Sequence, residues 1–283
     1  MRTKMLTTVA FAFLAMLPAA AHGQSAGEIM RRAMDAQAAR LAAVNDVTIT
    51  QEVMGMAVGM YMEKRIIDGT PVLVPVSMIM GGRVTALPQD ETAVDWSNPF
   101  QQTWAERARL EGTEQVDGHR VRVLVMDDFT GLDMPGMPGE MGSADLRLRS
   151  MRLSLDDDHL IRKVEMDAQS VREDGSATPV EITMFMQDYR EVDGYLHPFQ
   201  TRTITKGVLG AVDVDQEELR AQLEEMKKQL ASMPEAQRAM MERMMGPQME
   251  SLQAMLSSDE GEMEMSITVT DLKVNAGPPR GED

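Results

Sequence analysis

LRSMRLSLDDDHLIRKVEMDAQSVREDGSATPVEITMFMQDYREVDGYLHPFQTRTITK, residues 148–206, is the stretch whose reading decides the fold. It separates into four runs of β-forming residues: Leu148–Leu155, Leu160–Gln169, Val180–Tyr189 and Leu196–Lys206. Between them stand Asp156-Asp157-Asp158, Asp174-Gly175 and Val192-Asp193-Gly194. Asp-Gly pairs tolerate the positive φ of tight hairpin turns, and strands joined by such turns are antiparallel neighbours. Strands spaced this evenly predict one antiparallel meander, curled or partly closed.

Toward the N-terminus the same period continues. Val47 to Arg65 alternates: Met56, Val58, Met60 and Met62 share one face, and Ala57, Gly59 and Tyr61 share the other. Met54-Gly55 reads as a hairpin turn or as strand interior. Asp68-Gly69 turns into a strand over Pro71–Met80, in which Pro75 marks an edge or a bulge. Ahead of all this, alanine-rich Ala26–Ala43 reads as a helix. Gly81–Trp96 reads as loop, Asn98-Pro99 as the start of a short helix running to about Leu110, and Gln115–Gly118 as a turn into a strand over His119–Met126. The glycines and prolines of residues 131–142 make a loop.

Beyond Lys206 the pattern changes. Asp215 is a candidate N-cap, and Leu219, Leu223, Met226, Leu230 and Met233 recur at helical steps. Pro234 interrupts, then Met240, Met241, Met244 and Met245 crowd together before Gly246-Pro247. Residues 215–258 therefore read as a methionine-rich insertion of short amphipathic helices: a plain helical hairpin, a movable lid, or an element lying in a membrane interface. Met263–Val274 returns to alternation as the last strand.

The chain has 283 residues, of which 29 are methionine and none is cysteine, and its aromatic content is 4%. Arg2 and Lys4, the apolar run Leu6–Leu17, Pro18 and Ala19-Ala20-Ala21 form the pattern of a secretory signal covering residues 1–23. The run is shorter than the roughly 20 residues a membrane span needs. An exported chain without cysteine has no disulfide framework and no lipidation site, so its core must hold the fold. The formal charge is −17, and loss of the signal would remove two positive charges. Nucleic acid and anionic membrane surfaces are disfavoured as partners, since both call for basic patches, and no stable membrane insertion is expected. Methionine stands where leucine and phenylalanine usually serve, and its flexible thioether adapts to irregular apolar partners.

Motifs of catalysis are present only as patterns. Gly23-Gln24-Ser25-Ala26-Gly27 spells a nucleophile elbow but has no strand ahead of it. His119, His159 and His197 fall on different hairpins without metal-ligand spacing, and His159 reads as an exposed turn histidine. Asp156-Asp157-Asp158 lacks the alternating ligands of a calcium loop and reads as a solvated turn. No phosphate-cradling loop occurs. No metal site, cofactor or catalytic residue is therefore assigned. The remaining metal idea is Cu(I) on thioethers, against which the methionines are spread through strands, helices and loop alike.

Four segments carry a resemblance to a known family. They are Ala26–Thr50; Leu110–Val121; Leu153-Ser154-Leu155-Asp156 through Arg162-Lys163-Val164; and Asp188-Tyr189-Arg190-Glu191-Val192-Asp193-Gly194-Tyr195-Leu196-His197-Pro198-Phe199 with Val269–Asn275. Together they are similar to the LolA/LolB-like superfamily of periplasmic lipoprotein carriers, in its outer-membrane lipoprotein-sorting branch. The resemblance implies an α+β fold in which a curled antiparallel sheet forms an incomplete β-barrel and helices cover its concave face. It implies one domain over residues 24–283, periplasmic and non-enzymatic, binding lipid or lipoprotein acyl chains. The cavity candidates are then Met56, Val58, Met60, Met62, Met184 and Met186, and the lid candidates Met240, Met241, Met244 and Met245. Met-rich copper binding and docking to another envelope protein are the alternatives.

Overall fold

The computed structural model describes residues 24–279 except 68, 88–101, 130–144, 172–174, 208–215, 236, 239–240, 242–245, 247–248, 250–252, 254–255 and 258–261. The signal pattern, the loop at 131–142, and Met240, Met244 and Met245 lie outside the described residues. Helix α1 is Ala26–Arg40; Ser25 caps it, its Oγ accepting the Glu28 N–H at 3.2 Å. Strands β1 (Asp46–Val53), β2 (Met56–Ile67), β3 (Thr70–Met80) and β4 (Arg83–Ala86) follow, then a short helix α2 (Gln102–Arg107). The long meander comprises β5 (Arg109–Val116), β6 (His119–Met126), β7 (Asp145–Leu155), β8 (Ile161–Val171), β9 (Ala177–Val192) and β10 (Tyr195–Lys206). Helix α3 (Gln216–Ser232) and strand β11 (Met263–Val274) complete the order.

All the described strands belong to one antiparallel sheet, ordered β4-β3-β2-β1-β11-β10-β9-β8-β7-β6-β5. Two meanders, β1–β4 and β5–β10, are thus joined through the last strand, which lies between β1 and β10. The sheet cannot be flat. Helix α1 lies against both β3 and β5, which a flat sheet would hold about 43 Å apart at ~4.8 Å per strand. A helix of 15 residues is only ~22 Å long. The sheet therefore curls around it. Bulges contribute to the bend: pairing shifts at Thr50/Gln51 between β1 and β11, and at Tyr61/Met62 between β2 and β3. The second leaves Val76 without an opposite residue, so Pro75 does mark a bulge.

Turn chemistry sets the registers. Met54 and Gly55 have φ of 50° and 78°, which settles that pair as a two-residue turn between β1 and β2. Asp117-Gly118 and Asp193-Gly194 do the same for β5–β6 and β9–β10. Two sequence expectations fail. Gly81-Gly82 forms a turn into the short strand β4, where loop was expected, and Arg109–Val116 is a strand, where a helix was expected to reach about Leu110. Apolar periodicity is weak in RLEGTEQV because β5 is an edge strand whose residues are mostly exposed.

The core divides in two. Ile29, Met30 and Ala33 of α1 pack on Leu124, Met151, Leu153, Leu155 and Val164 from β6, β7 and β8. Leu41 and Val44, just past the helix, pack on Val47, Ile49, Met62, Leu73, Phe199, Val269 and Leu272. Helix α3 follows the expected stripe, with Leu223 and Leu230 buried and the Arg220 guanidinium donating to the Leu256 carbonyl at 3.3 Å.

Candidate apolar cavity

Between the two core clusters the curl leaves a half-enclosed cavity of about 320 Å³. The sequence makes this gap locally. Along β9 and β10 regular pairing is disturbed where Pro198, opposite Tyr189, brings no N–H and Asp188 takes a left-handed φ of 50°. Ile49 and Gln51 share one face of β1, and the β1–β11 bulge, which skips Thr270 in the pairing, sets Val269 opposite Gln51 in the same lining. From β2 and β3 come Met60, Met62 and Leu73, from β9 Met186 and Tyr189, from β10 Tyr195, Leu196 and His197, and from β11 Ile267 and Val269. Gln37, Arg40 and Leu41 close one end from α1, beside His159 and Leu160 of the β7–β8 turn.

Of the methionine candidates, Met60, Met62 and Met186 line this space. Met184 packs instead on the first core cluster. Val58 is half-buried outside the lining, and Met56, beside the hairpin tip, is 53% exposed. On the other face of β2, Gly59 admits the cross-strand Ile79; a Cβ there would come 2.9 Å from the Ile79 Cβ. Met241, the one lid candidate among the described residues, is helical and half-buried. No described residue of the 215–258 insertion lines the cavity.

The polar side chains of the wall were not anticipated. Tyr195 and His197 alternate onto one face of β10 and stack at 5.7 Å between ring centres, with the Tyr195 oxygen 3.4 Å from His197 Nδ1. Burial pushes the His197 imidazole down to about 4 from 6.5, so it is neutral at pH 7. The Tyr189 hydroxyl donates to the Ile161 carbonyl at 2.6 Å, and the Arg162 guanidinium covers its ring at 4.9 Å. Burial raises the phenol well above its ordinary value. The alternation Tyr195-x-His197 was a readable signal, since period two puts both residues on one side.

The Asp156–His159 turn also differs from expectation. Asp157 and Asp158 are exposed, but Asp156 is only 5% exposed. Its Oδ1 accepts the Asp158 and Leu160 N–H groups at 3.0 and 2.9 Å, and its Oδ2 accepts from Arg162 at 2.7 Å. His159, expected in solvent, has a left-handed φ of 61° that turns its ring inward, with Nδ1 3.1 Å from the Asp157 carbonyl and Nε2 buried without a partner among the described residues. No cluster of His, Cys, Asp or Glu among the described residues could hold a metal ion. No described helix is long and apolar enough to cross a membrane.

A curled antiparallel sheet with a helix inside it and an apolar cavity beside that helix defines the class to which this chain conforms. Among solved structures it is similar to a domain from Vibrio parahaemolyticus described as an outer membrane lipoprotein-sorting protein, at 11% identity and a TM-score of 0.38, covering 88% of this chain and 95% of that one. It is also similar to a LolA superfamily protein from Nitrosomonas europaea, at 10% identity and a TM-score of 0.31, covering 88% and 94%. A third is the MucA/MucB complex of Pseudomonas aeruginosa, at 10% identity and a TM-score of 0.21, covering 89% and 99%. No role, residue or ligand is carried over from these structures. No family model and no curated protein matches the chain.

Proposed function

We propose that this chain is a periplasmic binding or carrier protein for lipid or lipoprotein acyl chains and performs no catalysis. The observation that carries the reading is the gap of about 320 Å³ between two separately packed core clusters. Protein interiors ordinarily close such gaps, because an unfilled void forfeits contacts on every side. At about 30 Å³ per water-sized group, the space takes roughly ten non-hydrogen atoms, a single acyl chain rather than several. Burying that many methylenes contributes about 8 kcal/mol at ~0.8 kcal/mol each. Association costs of at least ~4 kcal/mol offset part of it, leaving weak, exchangeable binding suited to a carrier. The secretory pattern at residues 1–23 supports the periplasmic assignment.

The test is mass spectrometry of lipids co-purifying with the full chain, with titration of the delipidated protein by a fluorescent fatty acid. Saturable binding with one chain per protein is expected, with a dissociation constant on the order of 1 mM for the ~4 kcal/mol that remains; no binding at low-millimolar protein refutes the reading. Copper is the second reading, because the thioethers of Met60, Met62 and Met186 and the rings of His159 and His197 all line the cavity. Anaerobic Cu(I) titration separates the two: tight binding that fatty acid cannot displace would favour the metal.

A further inference from the structure

The wall of the cavity departs in one respect from the rest of the molecule. The chain carries 45 acidic residues against 28 basic ones, yet the described lining holds no Asp or Glu and one permanent cation, Arg40. Arg40 stands at the C-terminal end of α1, on the same helix face as Gln37 three residues before it. One of its guanidinium nitrogens donates to the Asp158 carbonyl at 2.5 Å. That bond fixes the group at the cavity's end. Among the described residues it has no carboxylate within ion-pair distance. A guanidinium offers five N–H donors, so most of its capacity is unspent, and its charge reaches the Tyr189 hydroxyl across the wall.

A second observation points to the same place. His159, next to the residue that anchors Arg40, borders the cavity with its buried Nε2 unpartnered among the described residues. Its Nδ1 faces a carbonyl oxygen, which can only accept, so Nδ1 carries a proton and Nε2 is the open position. Nε2 is then an acceptor, open to an O–H of a bound head group. Beside this polar group, Met60, Met62, Leu73 and Val269 supply apolar lining.

We propose that the cavity takes an amphiphile with an oxyanion head, carboxylate or phosphate, received by the donors of Arg40 and Gln37 beside the open Nε2 of His159, while its acyl tail lies between Met60, Met62 and Val269. This rests on the lipid-binding reading and adds the head group to it. A neutral lipid of the same length would fill the apolar part and leave the guanidinium unpaired, so the discrimination is electrostatic.

The test is displacement of an environment-sensitive fluorescent fatty acid from the full chain by dodecanoate, dodecyl phosphate and dodecanol. The two anions should bind roughly tenfold more tightly than the alcohol, the scale of one charge-assisted hydrogen bond. In Arg40→Gln the preference of the anions over dodecanol should vanish, and Arg40→Lys should restore part of it. Equal binding of all three ligands by the natural chain overturns the inference and leaves the carrier reading standing. Binding of none, with no uptake of the fluorescent fatty acid, refutes the carrier reading and the inference with it. Acetate or inorganic phosphate displacing the probe as well as the amphiphiles do would mark a free-anion site and overturn the tail assignment. Should Arg40→Gln lose its fold by circular dichroism, the anion-to-alcohol comparison on the natural chain decides alone.

Discussion

Replacing His197 with phenylalanine should flatten the acid side of the stability profile. In the unfolded chain this imidazole takes its proton near 6.5, whereas burial in the cavity wall holds it neutral down to about 4. Between those two pH values the unfolded state binds a proton that the folded state does not, so stability falls as the pH drops through that window and is level above it. The full span at ~1.36 kcal/mol per pH unit sets a ceiling of about 3 kcal/mol. Because the ring is half-buried and keeps some water contact, about 2 kcal/mol is the expected loss. Urea unfolding followed by far-ultraviolet circular dichroism at pH ~7.5 and ~4.5 measures it, since midpoint shifts at constant slope report stability. Phenylalanine keeps the stack on Tyr195 and removes the titrating group. The natural chain should lose about 2 kcal/mol more than His197→Phe between the two pH values. Parallel losses in the two proteins would refute the reasoning, since they would place the acid sensitivity elsewhere.

Met60→Gln and Met62→Gln should each weaken fatty-acid binding about fivefold, because each puts an amide against the tail, whereas Met56→Gln should leave the titration unchanged. Asp156→Ala should cost about 3 kcal/mol in urea unfolding, since it strands two N–H groups and the Arg162 guanidinium, whose side chain is 12% exposed. Met54→Asn should raise stability by roughly 0.5 kcal/mol in the same assay, because asparagine accepts the left-handed φ of the β1–β2 turn better than methionine does.

Most of the strands were legible because their information is local. Asp193-Gly194 and the apolar alternation around it place β9 and β10 from the sequence alone, and Met263–Val274 is a strand with the same ends in sequence and structure. What escaped depended on neighbours distant in the chain. Strand β5 is polar and takes its shape from pairing with β6, not from its own residues. The face Met56, Val58, Met60 and Met62 was readable as one side of a strand, but nothing in its period tells that the hairpin tip runs out past the cavity and leaves Met56 in solvent. The order of strands was equally invisible, since no local signal says that β11 inserts beside β1. Arg40, Gln37 and His159 lie on a helix end and a turn, where periodicity says little about what a side chain faces.

The placement of β11 governs how the molecule can be assembled. Asn275 ties the two ends of the folded unit together: its Oδ1 accepts the Asn45 N–H at 2.6 Å and its Nδ2 donates to the Ala43 carbonyl at 2.9 Å. Until residues 263–274 arrive, β1 and β10 each offer a bare row of amides and carbonyls, the kind of template on which chains join one another. A polypeptide emerging from its N-terminus must therefore wait for nearly its whole length before the seam is sewn, and a truncation before residue 263 should yield linked or aggregated chains rather than a smaller soluble fold.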